Sequence, residues 1–514
     1  MDLNRRIQLI RQYVGIDFLV YVLNINNEVI DTQNFDNTEL NETQKQILDN
    51  LYSNIQECRL QFVMRGGFGD SIDFYLRNQK HGVDSLYNAY RKVCGGLFPA
   101  ISDSEDELKS FLFKLCIREY PNLLIKSVKG DYSSSFSINI GVEEFQEFNS
   151  IVKNDVIDNL ANDKEDLEYS FSFYTTDGQN YQGQICNSAS IIISRAFHNC
   201  CFRFKYSLPD VLYEISANID VLRSLVKNEE ITYSSFIGIK GLIFDDFDLI
   251  DFESAIIRQA NCLSNPSHQA SRTFVMHTDS SQNKRMSGHF LEIFNRTKVS
   301  QVKGDYTVIQ RNHDVILDAI KFSIIFSLLE DKGLTISFSE NGFPIMQPGN
   351  FSFTDDHPQK YINIKEQHIA SILEWYQILV KKDLEKVRVP IDRLRFSIFE
   401  RKKHEDSIVD AIIAWEGMFS EAFETSFKVT GSISRFLVCP EEREEFYSRL
   451  RKLYSLRSDI VHGKQSRFMK KENIEELRSE VIKIGIECLK KILKDDELLN
   501  MSPAERVKEI MINR

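Results

Sequence analysis

From Glu441 to Val461 the apolar residues Phe446, Leu450, Leu453, Ile460 and Val461 return at helical spacing, and the run closes on Gly463. A second amphipathic run, Ile408, Ile412, Trp415, Phe419 and Phe423, predicts a helix from about Lys402 to Ser426 that is entered from Ile391. With Lys365 to Val387 and Ile474 to Lys494 these make four helices, and Gly431 and Pro440 bracket a short element between the second and third. Upstream, His313 to Glu330 predicts an apolar helix, and LTISFSENGFPIMQ a hairpin turning at Asn341-Gly342. Between about Lys126 and Asn312, short β-branched and aromatic runs (SFSINIGV, EYSFSFYTT, ASIIIS, NCCFRFKYSL, YSSFIGIKGLIF) predict strands, with a helix from Phe252 to Ala260. The first 125 residues read as helices over Glu42–Val63, Asp84–Cys94 and Glu105–Glu119, plus a strand pair from Phe18 to Phe35 about Asn26-Asn27. The pattern therefore predicts an α+β chain: a mostly helical region over 1–125, a sheet-rich region over 126–355 and an all-helical domain over 365–500.

Two charges sit badly against this pattern. On a wheel of about 100° per residue Arg457 falls within the apolar stripe of its helix, and Glu416 falls inside the edge of the other stripe. A guanidinium or carboxylate facing a core costs several kcal/mol unless it is paired. Glu416 is therefore expected to pair with Arg457 or with Arg435. His462, five residues after Arg457, lies about 140° around an ideal helix. The two side chains meet only if the helix distorts near Gly463 or a second copy supplies half of the site. Ser458 and Asp459 are candidates to orient the pair, and Tyr454 to stack on a base or pack. Arg449, Arg451, Lys452, Lys464 and Arg467 supply local positive charge, set against Glu441, Glu442, Glu444 and Glu445.

Local charge matters because the 514-residue chain has a formal net charge of −12, which excludes nucleic-acid binding through bulk electrostatics. The arginine, four residues, histidine spacing is weak by itself, since Arg272 and His277 repeat it in a strand-like stretch. Arg65-Gly66-Gly67-Phe68-Gly69-Asp70 lacks the ending of a phosphate-binding loop and reads as a plain turn. Asp245 to Asp251 reads as a solvated acidic turn, and His268, His277 and His289 do not fall at metal-ligand spacing, so no metal or cofactor is expected. Nine dispersed cysteines without a Cys-x-x-Cys pair point to reduced thiols, and no apolar run approaches a membrane span. A soluble cytoplasmic protein is expected.

The block from about Asp392 to Leu493 resembles the ApeA-like HEPN domains of bacterial abortive-infection and anti-phage proteins. The residues that carry the resemblance are DSIVDAIIAWEGMF from Asp406 to Phe419, Ser434-Arg435-Phe436-Leu437, and LYSLRSDIVHG ending at Gly463. It implies an all-α HEPN bundle working as a homodimer or larger homo-oligomer. The implied activity is a metal-independent endoribonuclease with Arg457 and His462 as the catalytic pair. RNA is the implied substrate, with Arg449, Arg451, Lys452, Lys464 and Arg467 expected to bind it, and the region before about 370 is expected to restrain the domain or to sense a trigger such as a phage product. Many relatives carry Asn, Asp or His where this chain has Ser458. The competing expectation is a non-catalytic domain for RNA binding and dimerisation.

Overall fold

A computed structural model describes residues 3–513 apart from 26–34, 36–37, 65–71, 83, 101–105, 126–137, 139, 156–169, 260–287, 301, 306, 332–333, 347–351, 354–360, 421–424 and 464–471. Helices and antiparallel sheets coexist, so the fold is α+β. The chain forms two compact units, one of residues 1–239, 253–311 and 336–355, the other of 240–252, 312–335 and 356–514.

In the first unit one hydrophobic core runs from Ile7 through Leu112, Phe197 and Leu222 to Phe343. The expected boundary near residue 125 thus does not separate two cores. Helices Glu42–Met64, Leu86–Val93 and Glu107–Leu124 follow the sequence periodicity. The expected strand pair starting at Phe18 is corrected: Ile16–Val22 is a short helix buried nearly all round, and most of the second strand lies outside the described residues. ASIIIS and the start of NCCFRFKYSL are likewise not strands but parts of one helix, Ile185–Phe202. Its buried residues Ala189, Ile192, Ile193, Ala196, Phe197, Cys200 and Cys201 keep a helical period beneath their strand-like composition. The next helix, Leu208–Val226, starts at a capping box in which Ser207 and Asp210 bond each other's backbone N–H.

The strands that do form include Ser170–Thr175 and Ile231–Lys240, as the pattern predicts. Ile231–Lys240 pairs antiparallel with His289–Thr297, in register from Ile231 with Thr297 to Ile239 with His289. On the other side of His289–Thr297 lies Ala255–Gln259, a strand with near-alternating burial where a helix is expected. The chain does leave its strand at Asn341, whose side chain accepts the Phe343 N–H at 2.9 Å. The return strand, however, is Ser352–Phe353 rather than the residues just after Gly342.

The second unit is mainly helical. Its helices include Glu366–Lys381, Arg388–Arg395 widening into a π turn over Phe396–Glu400, His404–Phe419, Thr425–Leu437, Arg443–Val461 and Ile474–Lys494. The segment from Ile391, whose continuity with the helix near Lys402 the sequence leaves open, is separated from it by a break at 401–403, and the short element expected between Gly431 and Pro440 is the second half of a full helix. Asp496–Asn500 and Pro503–Lys508 extend the unit past residue 500. Trp415, fully buried, donates its indole N–H to the Val481 carbonyl at 3.2 Å. Gly485 permits that approach, because a Cβ there would lie 3.1 Å from the same indole nitrogen.

Two earlier segments complete this unit. Leu242–Asp245 pairs in parallel with Ile362–Lys365, Leu242 beside Ile362. Buried Arg478 donates to the Ser407 hydroxyl at 2.9 Å and to Asp331, through its carboxylate at 3.2 Å and its carbonyl at 2.9 Å.

Candidate active site

The site is built on two helices of the second unit. His404–Phe419 buries Ile408, Ile412, Trp415 and Phe419, and this leaves Glu416 at the edge of the buried face with 17% of its side chain exposed. Arg443–Val461 follows a single turn over Pro440–Glu442 and opens with Glu444 and Glu445, charges that suit the positive end of a helix dipole. Its buried residues are Leu450, Leu453 and Leu456. The expected stripe is thus corrected: Leu456 belongs to it, while Val461 is 64% exposed. Arg457 lies beside the stripe rather than at its centre, with 40% of its side chain exposed.

Glu416 Oε1 is the meeting point. It lies 3.1 Å from Arg457 Nη1 and accepts the Tyr454 hydroxyl at 2.6 Å. Of the two partners expected for Glu416, Arg457 is the one it meets. Arg457 Nε is buried without a hydrogen-bond partner among the described residues, so the guanidinium is held from one end only. Burial, and then the hydrogen bond and charge of Glu416, push the Tyr454 hydroxyl well above the ordinary phenolic range, with Arg457 acting in the opposite direction. Tyr454 is therefore a donor to the carboxylate, which removes its hydroxyl end from any role toward a ligand.

The helix stays regular through Val461. His462 is its C-cap residue, with φ −90° and ψ 6°, and its N–H reaches the Ser458 carbonyl at 3.0 Å. Gly463 follows at φ +64°, the left-handed position that favours glycine, and donates to the Ile460 carbonyl at 3.1 Å. His462 is exposed, and among the described residues its ring has no hydrogen-bond or ion-pair partner. Ser458 is exposed and Asp459 half-buried, and neither side chain bonds to the side chain of Arg457 or His462 among the described residues.

Arg435 is half-buried near the end of Thr425–Leu437, and its Nε too is buried without a partner. It forms no ion pair with Glu416. Arg449 turns to the other side of its helix, where Glu472 accepts from both terminal nitrogens at 2.7 Å and Glu480 accepts at 2.9 and 2.5 Å. These carboxylates hold the guanidinium charge in place and raise its pKa. The expected role of Arg449 in meeting RNA is corrected accordingly, since two glutamates already neutralise it. Arg451 and Lys452 are exposed, while Lys464 and Arg467 lie outside the described residues.

The alternative chemistries gain no geometry. Arg272, His277, His268 and the glycine-rich turn at 65–70 lie outside the described residues. His289 is buried in its strand, and burial pushes its pKa down to about 3. No group of His, Cys, Asp and Glu among the described residues is arranged to hold a metal ion, and no helix among them is long and apolar enough to cross a membrane. Compared with protein-family models, curated proteins and solved structures, the chain gives no significant match.

Proposed function

We propose that this chain is a metal-independent endoribonuclease of the HEPN kind, serving abortive-infection or anti-phage defence, with its first unit restraining the second or sensing the trigger. The observation that carries the reading is the Tyr454–Glu416–Arg457 arrangement, a guanidinium anchored at one end a little over one turn before an exposed histidine at a helix terminus.

The chemistry follows from those two side chains. RNA cleavage by its own 2′-hydroxyl requires that hydroxyl to lose a proton as its oxygen attacks phosphorus. The bond from phosphorus to the 5′-oxygen breaks and that oxygen takes up a proton. The products are a 2′,3′-cyclic phosphate and a 5′-hydroxyl. Imidazole exchanges protons near neutral pH, which suits His462 to one of these transfers. A guanidinium keeps its charge and presents donors that match phosphate oxygens, which suits Arg457 to the crowded phosphorane.

With the helix regular through Val461, Arg457 and His462 of one copy leave it about 140° apart. A site that uses both is therefore assembled between two copies, Arg457 from one and His462 from the other. The test is incubation of the full-length chain and of His462→Ala with total RNA in EDTA, followed by end-group analysis. Cleavage by the wild type alone, leaving cyclic phosphates, is expected. Equal cleavage by the two proteins would sink the catalytic reading. Silence of both would leave either a chain held off by its first unit or an RNA-binding and dimerisation module, which the isolated segment from about 365 to 514 decides.

A further inference from the structure

The flank of Arg443–Val461 that leads to His462 carries a second set of side chains. Counting back from His462 at about 100° per residue, Ser458 lies about 40° away, Arg451 about 20° and Tyr447 about 60°. At about 1.5 Å per residue the row spans ~22 Å. Arg451, Ser458 and His462 are exposed and Tyr447 is half-buried. From the neighbouring helix Phe427, 53% exposed, sets its ring edge-on to Tyr447, with centroids 6.4 Å apart and planes at 76°.

A lone exposed phenylalanine needs no explanation. A ring pair at one end of a row, a histidine at the other and an arginine between them is a different matter. Arg451 has no ion pair among the described residues, in contrast to Arg449, which is held by Glu472 and Glu480. Glu444 shares the flank one turn before Tyr447, so the part of the row that attracts phosphate begins at the ring pair. Tyr454 lies nearby, but its hydroxyl is committed to Glu416.

We propose that this row is a track for single-stranded RNA, in which a base stacks on Tyr447 and Phe427, Arg451 meets a backbone phosphate, and the chain continues to the phosphodiester at His462. The proposal rests on the ribonuclease reading and adds the substrate class. Stacking on aromatic side chains accepts any base, because every base has a π face. A duplex keeps its bases stacked inside and cannot use the ring pair. The substrate is accordingly unpaired RNA of loose sequence.

The test uses the full chain carrying His462→Ala, so that bound RNA is not cut, with and without Phe427→Ala plus Tyr447→Ala. Fluorescence anisotropy follows binding to a labelled oligouridylate and to the same strand annealed to oligoadenylate. The parent is expected to prefer the single strand. The double substitution is expected to weaken that binding about five- to a hundredfold, leaving duplex binding unchanged. Tyr447→Trp in the Phe427→Ala background should recover part of the loss.

Equal losses for both RNAs, or no loss, overturn the track while the ribonuclease reading stands. A parent that binds no RNA, together with a wild type that cleaves none, overturns both. Sedimentation velocity adds one further outcome: a smaller assembly in the double variant would mean that copies meet on this face, which also overturns the track.

Discussion

Glu416 Oε1 serves two donors at once, the Tyr454 hydroxyl and Arg457 Nη1. Glu416→Ala leaves a half-buried hydroxyl and guanidinium without their acceptor, and should lower stability by about 1–3 kcal/mol in chemical denaturation. Glu416→Gln keeps the shape but removes the charge, so Tyr454 should ionise at lower pH in ultraviolet titration. Because the folded state raises the Tyr454 pKa, its contribution to stability is whole below the unfolded phenolic value of about 10 and is lost as pH rises beyond it. Asp17 follows the same sign in another range. Burial pushes its carboxyl up to about 7, against the hydrogen bond from the Tyr206 hydroxyl at 3.2 Å. Folding there favours the protonated form, so stability falls as pH climbs from the ordinary carboxylate range through 7. Asp17→Asn should raise the unfolding temperature at about pH 8 and do little at about pH 4. At this scale the sequence was informative where burial made a charge conspicuous: Arg457 and Glu416 each needed a partner and found each other. Arg449 gave no such warning, because Glu472 and Glu480 reach it only through the packing of the following helix.

Whole elements were legible where polar and apolar residues alternate with a clear period, as in Glu107–Leu124 or Arg443–Val461. They were misread where the apolar residues are continuous. Ile16–Val22 is buried on nearly every side, and a buried helix and a buried strand share one apolar signature. In Ile185–Phe202 the isoleucines suggested a strand, yet tertiary burial selected a helix, since β-branched residues tolerate helices that pack well. The end of the site helix gives an element-scale prediction. Gly463 sits at φ +64° with nothing within 4 Å of an added Cβ, so Gly463→Ala should cost about 1 kcal/mol from backbone conformation alone. Gly485→Ala has an ordinary helical backbone but would press on Trp415 and Leu394, and should cost about 1–3 kcal/mol from overpacking. Denaturation curves of the two variants separate the effects, because only Gly485→Ala should disturb the fluorescence of Trp415.

At the scale of the molecule, the ribonuclease proposal must meet a negative net charge, which would confine RNA contact to surfaces such as that of Arg451 and Lys452. If active sites form between copies, chains carrying Arg457→Ala and chains carrying His462→Ala should each be inactive alone. Mixed, they should regain up to about a quarter of wild-type cleavage, since half of the random pairs combine the two variants and one of their two sites is whole. Sites complete within one copy would give no recovery. The division of the chain was not legible from composition, because the second unit draws on residues far apart in sequence. Leu242–Asp245 joins Ile362–Lys365 and Asp331 holds Arg478, pairings that only the folded chain discloses.

That discontinuity bears on how such a domain is made and inherited. A strand that completes the unit is translated more than a hundred residues before most of its helices. The unit cannot finish folding until the helix Ile474–Lys494 has been made, and a recombination breakpoint near residue 365 would transplant it without its strand partner and without the carboxylate that neutralises Arg478. A protease nick at that point would likewise sever the backbone without separating the strands and the ion pair that stitch the pieces together.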